Sequence, residues 1–323
     1  MTCSSHPTLT LSTLTFRRPE DIAATLPLLV EQARSVPHHA EVLVVDNDTT
    51  DSARGVVEGF APEVRYVHEP RPGIAAARNR VLSETEERDV VVFFDDDERP
   101  VTNWLQLLLD MYESECPAGV VGPVVSEYSQ EPDEWITAGR YFERLRHPTG
   151  TRVRVAATNN LLLDRQFLRK RSITFDERFG LTGGSDTLLT RQITNAGGVL
   201  LWCDEAVVTD VVPASRLTRE WVTRRAFRSG NGGIRVELEL AGSSTRRVRV
   251  RVRSTVRGLA RVAGGTGEWL IGSVTRDLAP RARGVRKIAR GSGMVTGAFG
   301  YVYSEYSRPQ SGKQACDKGG TAS

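Results

Sequence analysis

Through its first half the chain alternates short apolar runs with longer amphipathic stretches. Residues 9–16, 41–45, 64–68 and 90–94 are β-branched or aromatic runs of strand length. Between them lie helical patterns over about 51–60, 74–83 and 103–113. Another runs from Pro19 to about residue 35, with Ile22, Leu26, Leu29, Val30 and Ala33 on one face. Such alternation predicts an α/β fold with a doubly wound, mostly parallel sheet flanked by helices. Val90, Val91, Val92, Phe93 and Phe94 show no polar alternation, as expected of a central strand covered on both faces.

The second half is less regular. Residues 119–125 and 153–163 read as strands, the latter carrying Thr158, Asn159 and Asn160. A loop over 175–186 with Gly180, Gly183 and Gly184 feeds a helix from about 186 to 196, and short strands follow at 199–203 and 206–209. Further on, Arg246 to Arg253 alternate with Val248, Val250 and Val252, a pattern of a strand or irregular edge. Residues 254–263 suit a basic amphipathic helix. The expected organisation is a catalytic domain at 1–235, a basic extension at 236–307 and a disordered tail at 308–323.

Composition narrows the class. The chain has 323 residues, 39% hydrophobic and 26% charged, with a net charge of +3. That charge is too small to suggest a nucleic-acid partner. Lysine occurs only at Lys170, Lys287, Lys313 and Lys318, so the basic residues are overwhelmingly arginine, which fits a GC-rich coding bias. Cys3, Cys116, Cys203 and Cys316 are widely spaced, giving no reason to expect a zinc site or disulfide scaffold and fitting a reducing cytoplasm. No signal peptide or membrane-spanning run is evident.

Candidate chemistry gathers where strands end. Asp95, Asp96, Asp97 and Glu98 follow the central strand directly, at the edge where open α/β sheets bind ligands. Alternation along an extended chain lets Asp95 and Asp97 converge while Asp96 faces away. Two hard carboxylates beside an open position suit Mg²⁺ or Mn²⁺ holding a phosphate; a solvated acidic turn is the plainer alternative. Asp46 ends the strand at 41–45, and could accept from a base or ribose or simply cap the next helix. Gly73 precedes a helix that opens with Ala75, Ala76 and Ala77 and carries Arg78 and Asn79. A guanidinium there could bind a diphosphate or balance the acidic cluster. Asp186, after Gly183 and Gly184, suits either a helix cap or a general base.

In this order, Val44-Val45-Asp46-Asn47, Arg71-Pro72-Gly73-Ile74-Ala75-Ala76-Ala77-Arg78-Asn79, Phe93-Phe94-Asp95-Asp96-Asp97 and Gly183-Gly184-Ser185-Asp186 resemble the family 2 glycosyltransferases of GT-A fold. The likeness covers about residues 8–235 and is greatest to bacterial enzymes that build polysaccharides or glycosylated metabolites, the succinoglycan type among them. It implies a nucleotide-sugar site of Asp46, Arg78, Asp95 and Asp96, a Mn²⁺ or Mg²⁺ held by Asp97 of a D-x-D element, and Asp186 as catalytic base. It further implies inverting transfer from a nucleotide sugar, UDP-linked by default, to a sugar, lipid-linked or small-molecule acceptor. Ser185 departs from the family's usual acid before the base, which leaves a catalytically weak nucleotide-sugar-binding protein as the rival reading. No Gln-x-x-Arg-Trp element follows, so single-sugar transfer is expected over polymerisation. The arginine-rich region at 246–290 is expected either to pack as a solvated subdomain or to touch an anionic membrane on its cytoplasmic face. A dehydrogenase is disfavoured, because no G-x-G-x-x-G follows the first strand.

Overall fold

The computed structural model describes residues 7–303. In chain order the strands and α-helices are β1 (Leu9–Thr15), α1 (Pro19–Ser35), β2 (Ala40–Asp46), α2 (Arg54–Glu58), β3 (Val64–His68), α3 (Ile74–Glu84), β4 (Val90–Asp95), β5 (Glu98–Pro100), α4 (Trp104–Glu115), β6 (Gly119–Val121), β7 (Val124–Tyr128), α5 (Glu134–Ala138), β8 (Arg152–Val153), β9 (Asn160–Asp164), α6 (Arg165–Lys170), α7 (Ser185–Asn195), β10 (Leu200–Trp202), β11 (Val208–Val212), α8 (Arg219–Leu240), α9 (Ser244–Val274) and α10 (Leu278–Ala298). The main sheet runs β3-β2-β1-β4-β9-β6-β10-β8, and β5-β11-β7 form a small second sheet. Strands β1 to β4 are mutually parallel, as the alternation predicts, while β9 runs antiparallel between β4 and β6.

Strand β4 is covered on both faces, and its residues divide accordingly. Val90, Val92 and Phe94 pack with α1 and α4 on one side. Val91 and Phe93 pack with α3 and α7 on the other. Each such side chain contributes roughly 1.5–3 kcal/mol on burial, so β4 is held rigidly and its carboxyl end is a fixed platform.

Two expected strands break. The run at 119–125 divides at Gly122-Pro123, sending β6 to the main sheet and β7 to the small one. Pro123 lacks a ladder donor, and a Cβ at Gly122 would meet the Ala206 carbonyl oxygen at 2.2 Å. The run at 153–163 keeps only its ends, β8 and β9, because Asn160 serves as a buried junction. Its amide donates to the carbonyls of Pro123 (3.0 Å) and Ala206 (2.8 Å) and accepts from the Trp104 indole (2.9 Å). Cys203 is a free, buried thiol.

The alternating Arg–Val segment at 246–253 is helix, not strand. It opens α9, whose N-cap Ser243 accepts from the Arg246 amide at 3.3 Å. Among the described residues no strand pairs with it, and arginine is a good helix former. Glycines repeating every seven residues decide the packing: Gly258 meets Gly291 and Gly265 meets Gly284 of α10 at backbone distance. Helix α10 in turn packs on α8, where a Cβ at Gly230 would lie 2.1 Å from the Arg290 carbonyl oxygen. Helix α8 runs through residue 235 without a break. Ala282 of α10, with Phe142, Val212 and Val222, forms a cluster that ties these helices to the rest of the fold. The tail expected at 308–323 lies outside the described residues.

Candidate active site

The carboxyl ends of the strands open into a cleft of about 640 Å³, which Asp95, Asp96, Asp97, Glu98, Asn47 and Gly73 line on one side. Asp97 is partly exposed, and its Oδ2 accepts from Arg18 Nη1 at 2.8 Å with Arg216 Nη2 at 3.6 Å. Asp96 does not turn away as strand alternation predicts, because residues 96 and 97 form a turn and both side chains line the cleft. It is buried, accepts from the same Arg18 nitrogen at 3.2 Å, and its carbonyl takes the Thr25 hydroxyl at 2.7 Å. Burial pushes the Asp96 carboxyl up to about 7, against the pull of Arg18. Burial likewise pushes Asp95 up to about 6; Arg78 opposes it, while Asp97, Asp210 and Asp186 add to it.

Asp46 sits elsewhere than its expected role requires. It is fully buried, and its oxygens accept from the Asp48 and Ala53 amides (both 2.9 Å) and the Tyr66 hydroxyl (3.2 Å), so it braces the loop after β2. Its neighbour Asn47 lines the cleft and accepts from the Gly73 amide at 3.2 Å. Gly73 has φ 114°, and a Cβ there would lie 3.3 Å from the Gly180 carbonyl carbon. The Ile74 amide donates to the Gly180 carbonyl at 3.2 Å. Asn79 bonds both ways to the Phe175 backbone at 2.9 Å. Helix α3 thus fixes the loop that delivers α7.

Arg78 is buried, donates from Nη1 to Ser185 Oγ at 2.8 Å, and packs over the Phe175 ring at 5.5 Å. Its Nε is buried without a partner among the described residues. Ser185 therefore points into the protein, toward Arg78. Asp186, next along α7, is half-buried and close enough to raise the Asp95 carboxyl. Among the described residues only its Oδ1 is engaged, by the Thr187 amide at 2.7 Å and more weakly by the Thr187 hydroxyl.

Asp210 was singled out by no motif. It lies in β11 directly opposite Glu98 of β5, and Arg144 pairs with it. Like charges facing across a ladder are unfavourable. Accordingly the buried Glu98 carboxyl is pushed well above its usual range by burial and by Asp95, although Asn159 donates to it at 2.6 Å. The signal was the pattern Val208, Asp210, Val212, which puts an acid on the inward face of a strand. Arg144, Arg216, Arg225 and Arg228 also line the cleft, Arg144 paired with Asp210 and Arg216 beside Asp97. Arg225 packs over Phe142 and Trp221 at 5.6 and 5.5 Å, and burial plus its arginine neighbours push it down to about 10. A desolvated guanidinium among like charges favours an anion beside it.

Comparison with known proteins gives the family and the fold. Residues 12–172 match the family model described as glycosyl transferase family 2. Over 222 residues the chain is 36% identical to the succinoglycan biosynthesis protein ExoM of Rhizobium meliloti, a stretch that covers 67% of this chain and 71% of that one. The chain belongs to glycosyltransferase family 2. Its fold is shared with mannosyltransferase PcManGT from Pyrobaculum calidifontis, solved with GDP-Man and Mn²⁺, at a TM-score of 0.58 and 18% identity over 88% of this chain and 86% of that one. It is shared too with S. aureus TarS 1-349, at a TM-score of 0.51 and 14% identity over 88% of this chain and 92% of that one. The protein is thus an enzyme, a glycosyltransferase of GT-A architecture.

Whether this family 2 site fits a divalent cation turns on its donor set. Among the described residues no three His, Cys, Asp or Glu side chains come close enough to cage a metal. Asp97 with Asp95 supplies hard oxygens at the cleft, which suits Mg²⁺ or Mn²⁺ held by one or two carboxylates and completed by substrate phosphate and water. Without donor, Arg18 and Arg216 neutralise Asp97.

Proposed function

We propose that this glycosyltransferase moves one sugar per encounter from a nucleotide sugar to an acceptor hydroxyl, with inversion at the anomeric carbon and dependence on a divalent cation. The observation that carries this reading is that one cleft gathers the strand-end acids Asp95 to Glu98 and several arginines, the desolvated Arg225 among them. A nucleoside diphosphate with its cation uses both kinds of group. Asp97 would hold Mg²⁺ or Mn²⁺ against the diphosphate, which supplies charge neutralisation as the sugar leaves. Arg225, with Arg144, Arg216 and Arg228 beside it, takes up the rest of that charge. Asp95, held near Arg78, would face the ribose. Asp46, braced within its loop, acts on the base only through the position it gives Asn47. Asp186 keeps Oδ2 available to remove the acceptor's proton as attack occurs opposite the nucleotide.

Donor and acceptor are narrowed by analogy. The Pyrobaculum relative was solved with GDP-Man and Mn²⁺, and a TarS structure with UDP, which supports a UDP- or GDP-sugar here. The ExoM likeness favours an acceptor from polysaccharide, glycolipid or natural-product assembly. Absence of a Gln-x-x-Arg-Trp element favours single transfers. The test is nucleotide release from a panel of UDP- and GDP-sugars, with EDTA or with Mn²⁺ restored, followed by NMR of the product's anomeric configuration. Asp186→Asn should lower turnover at least about a hundredfold with donor binding kept. Full activity in EDTA, or a product of retained configuration, would overturn the mechanism.

A further inference from the structure

Helix α9 carries an apolar stripe that no part of the described fold covers. Val248, Val252, Val256, Leu259, Leu270 and Val274 are each between 51% and 84% exposed. At about 100° per residue these positions, with Ala263, fall within an arc of roughly 80° along the whole helix. The opposite face, carrying Gly258, Gly265 and Gly272, is buried, Gly258 and Gly265 against α10 glycines. The stripe is therefore not a poorly packed core; the helix already has its intramolecular contact elsewhere.

Charge beside the stripe says what covers it. Arg246, Arg249, Arg253 and Arg257 follow its flank, all are exposed, and none forms an ion pair among the described residues. From Ser244 to Thr266 the helix contains no acid. A second copy laid along the same stripe would bring two such arginine rows together with only Glu268 on each helix to offset them. An anionic lipid surface meets both features, taking the valines and leucines into the headgroup–acyl boundary and the guanidiniums among its phosphates.

A groove of about 910 Å³ lies between α8 and α9, floored by Val285, Ile288 and Ala289 of α10 and walled by Phe227 and Trp269. Arg224 lines both this groove and the catalytic cleft.

We propose that α9 is a membrane-docking helix that seats the enzyme on an anionic bilayer, with the α8–α9 groove opening beside it. The surface spans nothing; no described helix is long and apolar enough to cross a membrane. The reading goes beyond sugar transfer, and its test measures binding, so it can fail while the catalytic reading stands.

The experiment is co-sedimentation of the full chain with vesicles of phosphatidylcholine, with and without phosphatidylglycerol, over a salt series, alongside light scattering of the protein alone. Binding should require phosphatidylglycerol and fall steeply with salt. Arg249→Gln combined with Arg253→Gln should weaken partition about 25-fold, the effect of two charges near such a surface. Val252→Ser combined with Leu259→Ser should weaken it about tenfold or more while circular dichroism and melting temperature stay unchanged, since both positions are exposed. The proposal is overturned if the chain ignores phosphatidylglycerol vesicles at low salt or binds both vesicle types equally. It is also overturned if either double variant binds like the parent, or if the protein is a dimer that Leu259→Ser dissociates.

Discussion

Gly293→Ala tests how the helical extension is tied to the catalytic cleft. A Cβ at position 293 would lie 2.0 Å from the Phe227 carbonyl oxygen and 3.0 Å from the Asn231 nitrogen. Both obstacles are α8 backbone, so no rotamer change relieves the clash, and α8 and α10 must separate by about 1 Å. Overpacking of this kind costs roughly 1–3 kcal/mol, and a backbone obstacle puts it at the upper end. For a chain of this size that is a fall in melting temperature of about 3–5 °C. Gly264→Ala is the control: it too replaces a helical glycine, but nothing lies within 4 Å of the added carbon. It should gain about 0.5–1 kcal/mol from the glycine-to-alanine propensity difference. Phe227 is flanked on α8 by Arg225 and Arg228, which line the cleft, so Gly293→Ala should also raise donor KM more than it lowers kcat. Differential scanning fluorimetry with donor-saturation kinetics reads both effects. Equal melting temperatures for the two variants would refute the close α8–α10 contact, and an unchanged donor KM would separate that contact from the site.

Three further outcomes are expected. Asp97→Asn should nearly abolish metal-stimulated nucleotide release with its melting temperature held, because the carboxylate is partly exposed and pairs with Arg18 and Arg216 at the cleft; wild-type rates in a folded variant would remove it from the site. Ser185→Glu should act on the donor side, since position 185 is buried against Arg78 and a carboxylate there would draw that guanidinium from Asp95; a change confined to acceptor KM would contradict this. Asp48 opposes its own burial with hydrogen bonds from Thr50, Arg17 and Ser52, which bring its carboxyl down to about 2 from 3.8. Its ionised form therefore favours the folded state, a contribution complete above the unfolded value and lost as pH falls toward 2. Asp48→Asn should cost roughly 2 kcal/mol at neutral pH in urea unfolding, with the gap closing in acid.

Local pattern alone determined the catalytic half of the fold. Strands β1 to β4 and the helices between them were legible because each strand is a short stretch rich in apolar or β-branched residues and each helix has one apolar face, signals that need no distant partner. The strand-end acids were legible for the same reason, since the end of a buried run fixes where they emerge. The family likeness, carried by motif order, extended this to Asp186 and Arg78. What only tertiary structure decided is what depends on a neighbour far along the chain. Gly122 divides a strand run because the Ala206 carbonyl meets it in space, and Asn160 opens β9 as a junction to Trp104. Asp210 joins the cleft through its pairing with Glu98, more than a hundred residues away in sequence. Asp46 turns inward because the Ala53 amide and Tyr66 claim its carboxylate. Residues 246–253 alternate like a strand but form a helix, because a strand needs an edge to pair with, whereas Gly258 and Gly265 offer a helix the backbone of α10 to rest on.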